Sequence, residues 1–162
     1  MRETSGVPDG SGKRFAVVAA RFNRQICDAL VDGALVCLRE HGVADGDLTV
    51  VRVPGAWELP LALDAAARSR RFDALVAIGA VVRGETPHFD VLCAEATAGI
   101  ARVSERHALP IGFGLLTCDT LEQAAARAGG PAGDKGREAA EAALEMAALL
   151  PVLAAAPAGA EG

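Results

Sequence analysis

The sequence predicts an α/β fold, a three-layer α/β/α sandwich around a central four-stranded parallel sheet. Short apolar runs alternate with longer segments of helical periodicity, which is the pattern of strands joined through helices. The runs are apolar at nearly every position, as expected for strands buried on both faces. The chain of 162 residues, 51% hydrophobic with a mean hydropathy of +0.27, has the length and composition of one folded domain.

The first half of the chain contains two predicted strand–helix units. Residues 15–20 (FAVVAA) form the first strand, and the helix over residues 24–41 ends at Gly42, a typical C-cap residue. Residues 48–53 (LTVVRV) form the second strand, which a Pro-Gly pair stops. The second helix covers residues 58–69, with a proline tolerated in its first turn.

The second half continues the alternation. Residues 74–82 (ALVAIGAVV) form the third strand, a polar loop covers 83–88, and a helix follows over 90–107. Residues 110–116 form the fourth strand. The chain then continues with a short helix near 121–128, a Gly-rich turn over 129–136, and a final helix from an N-cap at Asp134 to about residue 150. We expect a flexible segment, one domain and a flexible tail, over residues 1–13, 14–150 and 151–162.

Charge and composition narrow the classes of protein. The net charge of −5, without a basic stripe, argues against a nucleic-acid binder. No apolar stretch reaches the ~20 residues that span a bilayer, and the polar first 13 residues contain no signal peptide. We therefore expect a cytoplasmic protein without membrane or nucleic-acid partners. Because the cysteines form no C-x-x-C pair, we expect reduced, mostly buried thiols at Cys27, Cys37, Cys93 and Cys118.

The residues that follow each predicted strand are the candidate site, because parallel sheets bind ligands beyond the carboxyl ends of their strands. These residues are RFN at 21–23, PGAWE at 54–58, RGETPH at 83–88 and TCD at 117–119. Their aromatic faces can stack a flat heterocycle. A Gly-Glu-Thr turn beside a helix start can offer backbone N–H groups to an anion. The set predicts a site for a flat, polar ring and a phosphate.

Several common sites are missing from these loops. The sequence contains no G-x-G-x-x-G, no P-loop and no G-x-S-x-G motif, and its three histidines have no nearby ligand cluster, so we expect no metal site. His88 is the acid–base candidate because histidine titrates near neutral pH, whereas His41 and His107 close predicted helices. Structural alternatives remain for other candidates: core packing for Trp57, a helix-start charge for Glu58, and a solvated basic pair for Arg127 and Lys135.

Five motifs in order relate the chain to a known family. They are RFN at 21–23, VPGAWELP at 53–60, IGAVVRGETPHFD at 78–90, IGFGLLT at 111–117, and RAG…GDKG at 127–136. Through them the chain resembles the 6,7-dimethyl-8-ribityllumazine synthase family. The resemblance implies a flavodoxin-like fold and the penultimate step of riboflavin biosynthesis. In that step 5-amino-6-(D-ribitylamino)uracil condenses with 3,4-dihydroxy-2-butanone 4-phosphate, and phosphate and water leave. The resemblance implies that the reaction needs no cofactor and no metal.

The resemblance also implies roles for individual residues. Phe22 would stack on the pyrimidine ring, Trp57 would line the pocket, and His88 would move protons. Further contacts would come from Ala56 and Glu58 on the ribityl chain, Val81 and Val82 at the ring edge, and Gly84, Glu85 and Thr86 around the phosphate. An adjacent subunit would supply Phe113 over the ring, Arg127 to the phosphate and Lys135 to the heterocycle. Glu138 matches a position that is often acidic in the family and would be an assisting group.

The resemblance implies an assembly as well. Family members form pentamers with sites between neighbours, and the short 129–136 turn is similar to that of members that build icosahedral shells. Riboflavin synthase is an expected partner, and the N-terminal segment would lie on a neighbour's sheet. Two alternatives stay open: an archaeal-type riboflavin synthase that consumes the lumazine, and a flavin- or lumazine-binding shell protein without turnover.

Overall fold

The central sheet contains four parallel strands. The computed structural model describes residues 1–155, and its sheet strands are β1 (Phe15–Ala20), β2 (Leu48–Val53), β3 (Ala74–Val82) and β4 (Ile111–Cys118). They lie in the order β2-β1-β3-β4. The two middle strands are apolar and buried almost throughout, so both faces of the sheet have to be covered.

Helices cover both faces of the sheet. They are α1 (Arg24–Glu40), α2 (Leu59–Arg68), α3 (His88–His107), α4 (Leu121–Ala126) and α5 (Lys135–Ala154). Helices α1 and α5 pack with each other on one face, and α2 and α3 pack on the other. The arrangement confirms the predicted three-layer sandwich. No helix within residues 1–155 combines the length and apolar character that crossing a membrane requires.

Close packing of α5 depends on small residues. A Cβ at Gly136 would overlap the backbone carbonyl of Leu30 in α1, and a Cβ at Gly112 of β4 would overlap the carbonyl of Ala139. The Asp134 carboxylate accepts the N–H groups of Gly136 and Arg137, which confirms the predicted N-cap. The start of α5 is therefore fixed against both α1 and the sheet edge.

Some boundaries differ from the prediction. Helix α3 begins at His88, not at residue 90, because Pro87 adopts helical backbone angles and its carbonyl accepts the N–H groups of Asp90 and Val91. Strand β4 continues to Cys118, and α2 begins at Leu59 after a 3-10 turn over Ala56–Glu58.

The C-terminal part also differs from the prediction. The predicted Gly-rich turn contains a small antiparallel hairpin of β5 (Ala128–Gly130) and β6 (Gly133–Asp134). Helix α5 runs through Pro151 to Ala154 instead of ending near residue 150. A proline removes a single N–H donor, and residues 151–155 are exposed, so one missing bond there disturbs no packing. Residues 156–162 of the expected tail lie outside the described residues.

The N-terminal segment follows the surface of its own subunit. The N–H of Gly10 donates to the carbonyl of His41 at the end of α1 over 2.7 Å. A Cβ at Gly6 would overlap the carbonyl of Glu145, so the segment passes directly over α5. The expected contact with a neighbouring sheet stays a prediction.

Candidate active site

A cleft of about 480 Å³ opens at the carboxyl end of β3. Most of the predicted binding residues line it: Phe22, Ala56, Trp57, Glu58, Val81, Val82, Gly84, Thr86 and His88. Pro54 and Gly55 of the predicted 54–58 loop also line it, as do four residues outside the predicted loops: Ala80, Phe89, Val91 and Leu92. The loops after β1, β2 and β3 therefore converge as the rule for parallel sheets predicts.

Two aromatic side chains of the cleft are exposed to solvent. Phe22 is 71% exposed and Trp57 is 62% exposed, whereas Phe15 is fully buried in the core. A large exposed ring forgoes the roughly 1.5–3 kcal/mol that burial contributes, so exposed rings grouped in a cleft indicate a ligand or partner surface. The core-packing alternative for Trp57 is thus wrong.

The backbone of Phe22 is fixed from three sides. Its N–H donates to the carbonyl of Pro54 over 3.1 Å, and its carbonyl accepts the thiol of Cys27 over 3.2 Å. Asn23 adopts a left-handed conformation (φ 54°), which asparagine tolerates, and its amide donates to the carbonyl of Ala80 over 2.8 Å. Burial raises the pKa of Cys27 to about 11, so the thiol stays protonated and remains a donor. Both residues support Phe22: Asn23 belongs to the predicted 21–23 loop but was given no role, and Cys27 was not predicted to be near the site.

Glu58 has a structural contact and a free oxygen. Its Oε2 accepts the N–H of Gly55 over 2.9 Å, which closes the 3-10 turn that carries Trp57. The other carboxylate oxygen has no hydrogen bond within residues 1–155. The helix-start interpretation is therefore correct for one oxygen, while the second is available to a ligand in the cleft.

The loop between β3 and α3 presents unsatisfied backbone donors. The N–H groups of Gly84, Glu85 and Thr86 have no acceptor among the described residues, and they directly precede the 20-residue helix α3. A helix N-terminus carries a partial positive charge and its own free N–H groups, so this is a favourable place for an anion. Glu85 is exposed and does not line the cleft, so its backbone is the relevant part.

His88 lies at the first position of α3. Its backbone N–H points to the hydroxyl of Thr86 at 3.4 Å, and the side chain is exposed at the cleft wall. Neither ring nitrogen has a partner among residues 1–155. The imidazole is therefore free to exchange a proton with a bound molecule.

Arg83 is the charged centre behind this loop, and the sequence analysis assigned it no role. Its Nε donates to Asp119 over 2.8 Å, and its Nη1 donates to both carboxylate oxygens of Asp90 at 3.2 and 3.3 Å. The guanidinium carbon also lies 4.3 Å from the ring centroid of Phe89. The bond with Asp119 and the negative charge of Asp90 raise the pKa of Arg83 above its ordinary value.

The remaining predicted residues do not line the cleft of the same chain. Phe113 is 49% exposed on β4 and faces a separate groove along α3. Arg127 ends α4, where its guanidinium donates to the carbonyl of Gln123 over 3.0 Å. The N–H of Lys135 donates to the carbonyl of Arg127 over 2.9 Å, so the hairpin holds these two residues side by side. The Lys135 ammonium pairs with Glu138 at 2.6 Å.

Comparison with known proteins identifies the family. Residues 12–151 match the sequence model of 6,7-dimethyl-8-ribityllumazine synthase. The chain belongs to the 6,7-dimethyl-8-ribityllumazine synthase family. This result confirms the resemblance carried by the five motifs. Lumazine synthases are transferases that catalyse the penultimate step of riboflavin biosynthesis.

Individual lumazine synthases match the chain almost end to end. The protein of Salinibacter ruber is 54% identical over 142 residues, which are 88% of this chain and 91% of its own. The protein of Desulfovibrio desulfuricans is 52% identical over 145 residues, covering 90% of this chain and 93% of its own. The lumazine synthase of Aquifex aeolicus is 48% identical over 149 residues, covering 92% and 97%.

Proposed function

We propose that the cleft holds both substrates of the lumazine synthase reaction. The observation that carries the proposal is the grouping of two exposed aromatic rings, a free imidazole and three unpaired backbone N–H groups around one cleft. The pyrimidine would stack on Phe22 beside Trp57. Ala56 and the free oxygen of Glu58 would meet the ribityl chain, where the carboxylate can accept hydroxyl hydrogen bonds.

The end of β3 would recognise the edge of the pyrimidine ring. The last residue of β3 that pairs with β1 is Ile78, opposite Ala19. The backbone of Val81 and Val82 therefore extends past β1 and has no strand partner on that side. Its peptide groups are free to hydrogen-bond with the amide-like edge of the heterocycle.

The phosphate would occupy the positive end of α3. Gly84, Glu85 and Thr86 would contribute N–H groups, and the Thr86 hydroxyl would add another donor. Arg127 would pair with the same phosphate from an adjacent subunit, because a guanidinium binds it through two parallel hydrogen bonds. Phosphate elimination then takes place where the developing negative charge is neutralised.

Positioning and proton transfer would supply the acceleration. The amine attacks the ketone and water leaves to give an imine. Phosphate is then eliminated to give an enol, which becomes a second ketone; the second amine attacks this ketone and a second water leaves as the ring closes. Both substrates are reactive, so holding them together supplies much of the acceleration. His88 would carry protons between these groups, which contributes a factor of roughly 10²–10⁴.

We further propose that neighbouring copies complete each cleft in a cytoplasmic pentamer. Phe113, Arg127, Lys135 and Glu138 lie away from their own cleft, as residues that serve a neighbour's cleft would. The short hairpin at 128–134 favours pentamers that close into an icosahedral shell, with riboflavin synthase as a partner. The four free thiols, three of them buried, support a reducing compartment.

One assay tests the function. The protein is mixed with 5-amino-6-(D-ribitylamino)uracil and 3,4-dihydroxy-2-butanone 4-phosphate, and lumazine absorbance and phosphate release are followed together. We expect equal amounts of both products. Consumption of added lumazine would instead identify a riboflavin synthase, and binding without turnover would identify a carrier. Native mass spectrometry in parallel should find multiples of five copies of the 16.5 kDa chain, and a stable monomer would contradict the shared cleft.

A further inference from the structure

The loop that offers its N–H groups to an anion receives little support from its own backbone. Gly84, Glu85 and Thr86 donate no backbone hydrogen bond to any described residue. The nearest backbone bonds are from the Arg83 N–H to the carbonyl of Cys118 at 2.9 Å and, on the other side, from residues 90 and 91 to Pro87. Side-chain contacts therefore have to hold the loop in the geometry that a ligand requires.

The Arg83 guanidinium supplies those contacts. It joins three elements: the end of β3, the first turn of α3 through Asp90, and the start of the α4 connection through Asp119. Its planar group also lies over Phe89, which lines the cleft directly after His88 in the chain. The bond to Asp90 therefore closes the loop at both ends, with the three free N–H groups and His88 between the two charges.

We propose that Arg83 is a positioning residue, which sets the phosphate loop and the imidazole of His88 in one geometry without touching substrate. The proposal rests on the proposed function of this loop. The Asp119 arm ties the same group to the segment that leads through α4 to Arg127. A lysine in place of Arg83 has a single ammonium on a flexible stem, so it cannot hold both carboxylates and cover the ring at once.

The test compares variants of the Arg83 network with a variant that removes an arginine ion pair elsewhere on the surface. Arg83→Ala removes the network, Arg83→Lys keeps the charge, and Asp119→Asn is a milder variant that loses one arm. Arg39→Ala is the matched control. The Nε of Arg39 donates to Asp45 over 2.7 Å, and the Arg39 side chain is about as exposed as that of Arg83. Arg39 lies on α1, outside the cleft. The measurements are kcat, KM for each substrate, affinity for inorganic phosphate, and amide hydrogen exchange over residues 84–90.

We expect Arg83→Ala to lower kcat and weaken phosphate binding by about 10- to 100-fold, the cost of a misplaced site, with faster exchange in the loop. KM for the pyrimidine should change by about twofold or less, because its proposed contacts come from the loops after β1 and β2 and from β3 itself, and not from residues 84–88. Arg83→Lys should recover part of kcat, and Asp119→Asn should lie between Arg83→Ala and wild type. Arg39→Ala should match wild type.

Two results would overturn the proposal. One is an Arg83→Ala variant that matches Arg39→Ala in every measurement. The other is an equal loss for both substrates with a lower melting temperature and no recovery in Arg83→Lys, which is the result of a general folding defect. A wild-type chain that binds phosphate but forms no lumazine would refute the proposed function alone, since the phosphate comparison still tests Arg83.

Discussion

The side chains at the cleft fall into two groups, those that line the open space and those that support them from behind. Groups that line the open cleft, such as the rings of Phe22 and Trp57 and the imidazole of His88, have almost no partners within residues 1–155. Groups behind them, such as Asn23 and Arg83, are bound to several atoms. Free donors and exposed rings cost stability, and the bound residues behind them keep these groups in place.

His88 should be important but not indispensable. Replacing it by alanine removes the proton carrier while leaving the positioning groups in place. We expect His88→Ala to lower kcat by roughly 10²–10⁴-fold, with lumazine formation still detectable. His41→Ala is the control, since His41 caps α1 outside the cleft. An alanine variant at position 88 with the wild-type rate would remove this residue from the mechanism.

Arg127 should discriminate between the two substrates. A charge-assisted hydrogen bond contributes about 1.5–3 kcal/mol, so Arg127→Ala should weaken binding of the ketone phosphate by about tenfold or more. The pyrimidine, which has no phosphate, should lose much less. Arg127→Lys keeps the charge without the fork and should fall between the two. Equal losses of affinity for both substrates, measured by KM in the presence of the other, would contradict the assigned role.

The sequence predicted the residues that line the cleft better than those that support them. Residues such as Trp57 and His88 follow strands directly, so the topology alone assigns them to one edge of the sheet. Arg83 and Asn23 depend on partners 36 and 57 residues away, and their side-chain geometry is not encoded in local spacing. A polar residue in a strand–helix loop looks the same whether it faces solvent or spans two elements.

At the scale of elements, α5 depends on its first turn. Asp134 caps two N–H groups there, and the same turn carries Lys135. Asp134→Ala should lower the free energy of unfolding by about 0.5–2 kcal/mol, the usual cost of a lost N-cap. Asp134→Asn keeps the acceptor oxygen and should lose far less. Urea denaturation of both variants gives the comparison, and equal losses would rule out capping as the cause.

A second cluster joins α2 to α3 and should give a pH dependence. Asp64 of α2 accepts a hydrogen bond from His107 of α3 over 2.8 Å, and its other carboxylate oxygen forms an ion pair with Arg68 at 2.8 Å. Hydrogen bonding by His107, with the nearby arginines, holds the pKa of Asp64 below its ordinary value of 3.8. Since the folded-state pKa is lowered, the stabilisation is present above pH 3.8 and is lost as pH falls through the folded pKa.

Asp64→Asn should therefore reduce the loss of stability between about pH 5 and about pH 3. Asp32→Asn is the control, because Asp32 is exposed on α1 and forms no ion pair within residues 1–155. Unfolding free energies at the two pH values give the difference for each variant. An Asp64→Asn protein with the acid sensitivity of wild type would show that this cluster does not control it.

Element order was predictable because strands and helices here have strong, distinct periodicities. The boundaries of the elements were harder to predict where the backbone geometry departs from average residue preferences. Pro87 starts α3 two residues early because it takes helical angles itself. The β5–β6 hairpin has five strand residues, four of them paired, in a Gly-rich stretch that has no apolar pattern to indicate strands.

At the scale of the whole molecule, the proposed chemistry is divided over two separate surfaces. One is the cleft at the carboxyl end of β3, and the other is the surface outside that cleft, where Phe113 on β4 and the Arg127–Lys135 hairpin lie at different places. Helices α1 and α5 fix the hairpin, whereas α2 and α3 frame the cleft. Each surface can therefore be damaged by substitution while the other is left intact.

If neighbouring copies complete each cleft as proposed, this separation predicts that two impaired variants can rescue each other. A His88→Ala chain retains Arg127, and an Arg127→Ala chain retains His88. If the chains are unfolded, mixed in equal amounts and reassembled at random, about a quarter of the interfaces unite two undamaged surfaces. At a limiting concentration of the ketone phosphate, we expect about a quarter of wild-type turnover from the mixture, about a tenth or less from Arg127→Ala alone and about a hundredth or less from His88→Ala alone. Such complementation would show that Arg127 of one chain acts in the cleft of another chain.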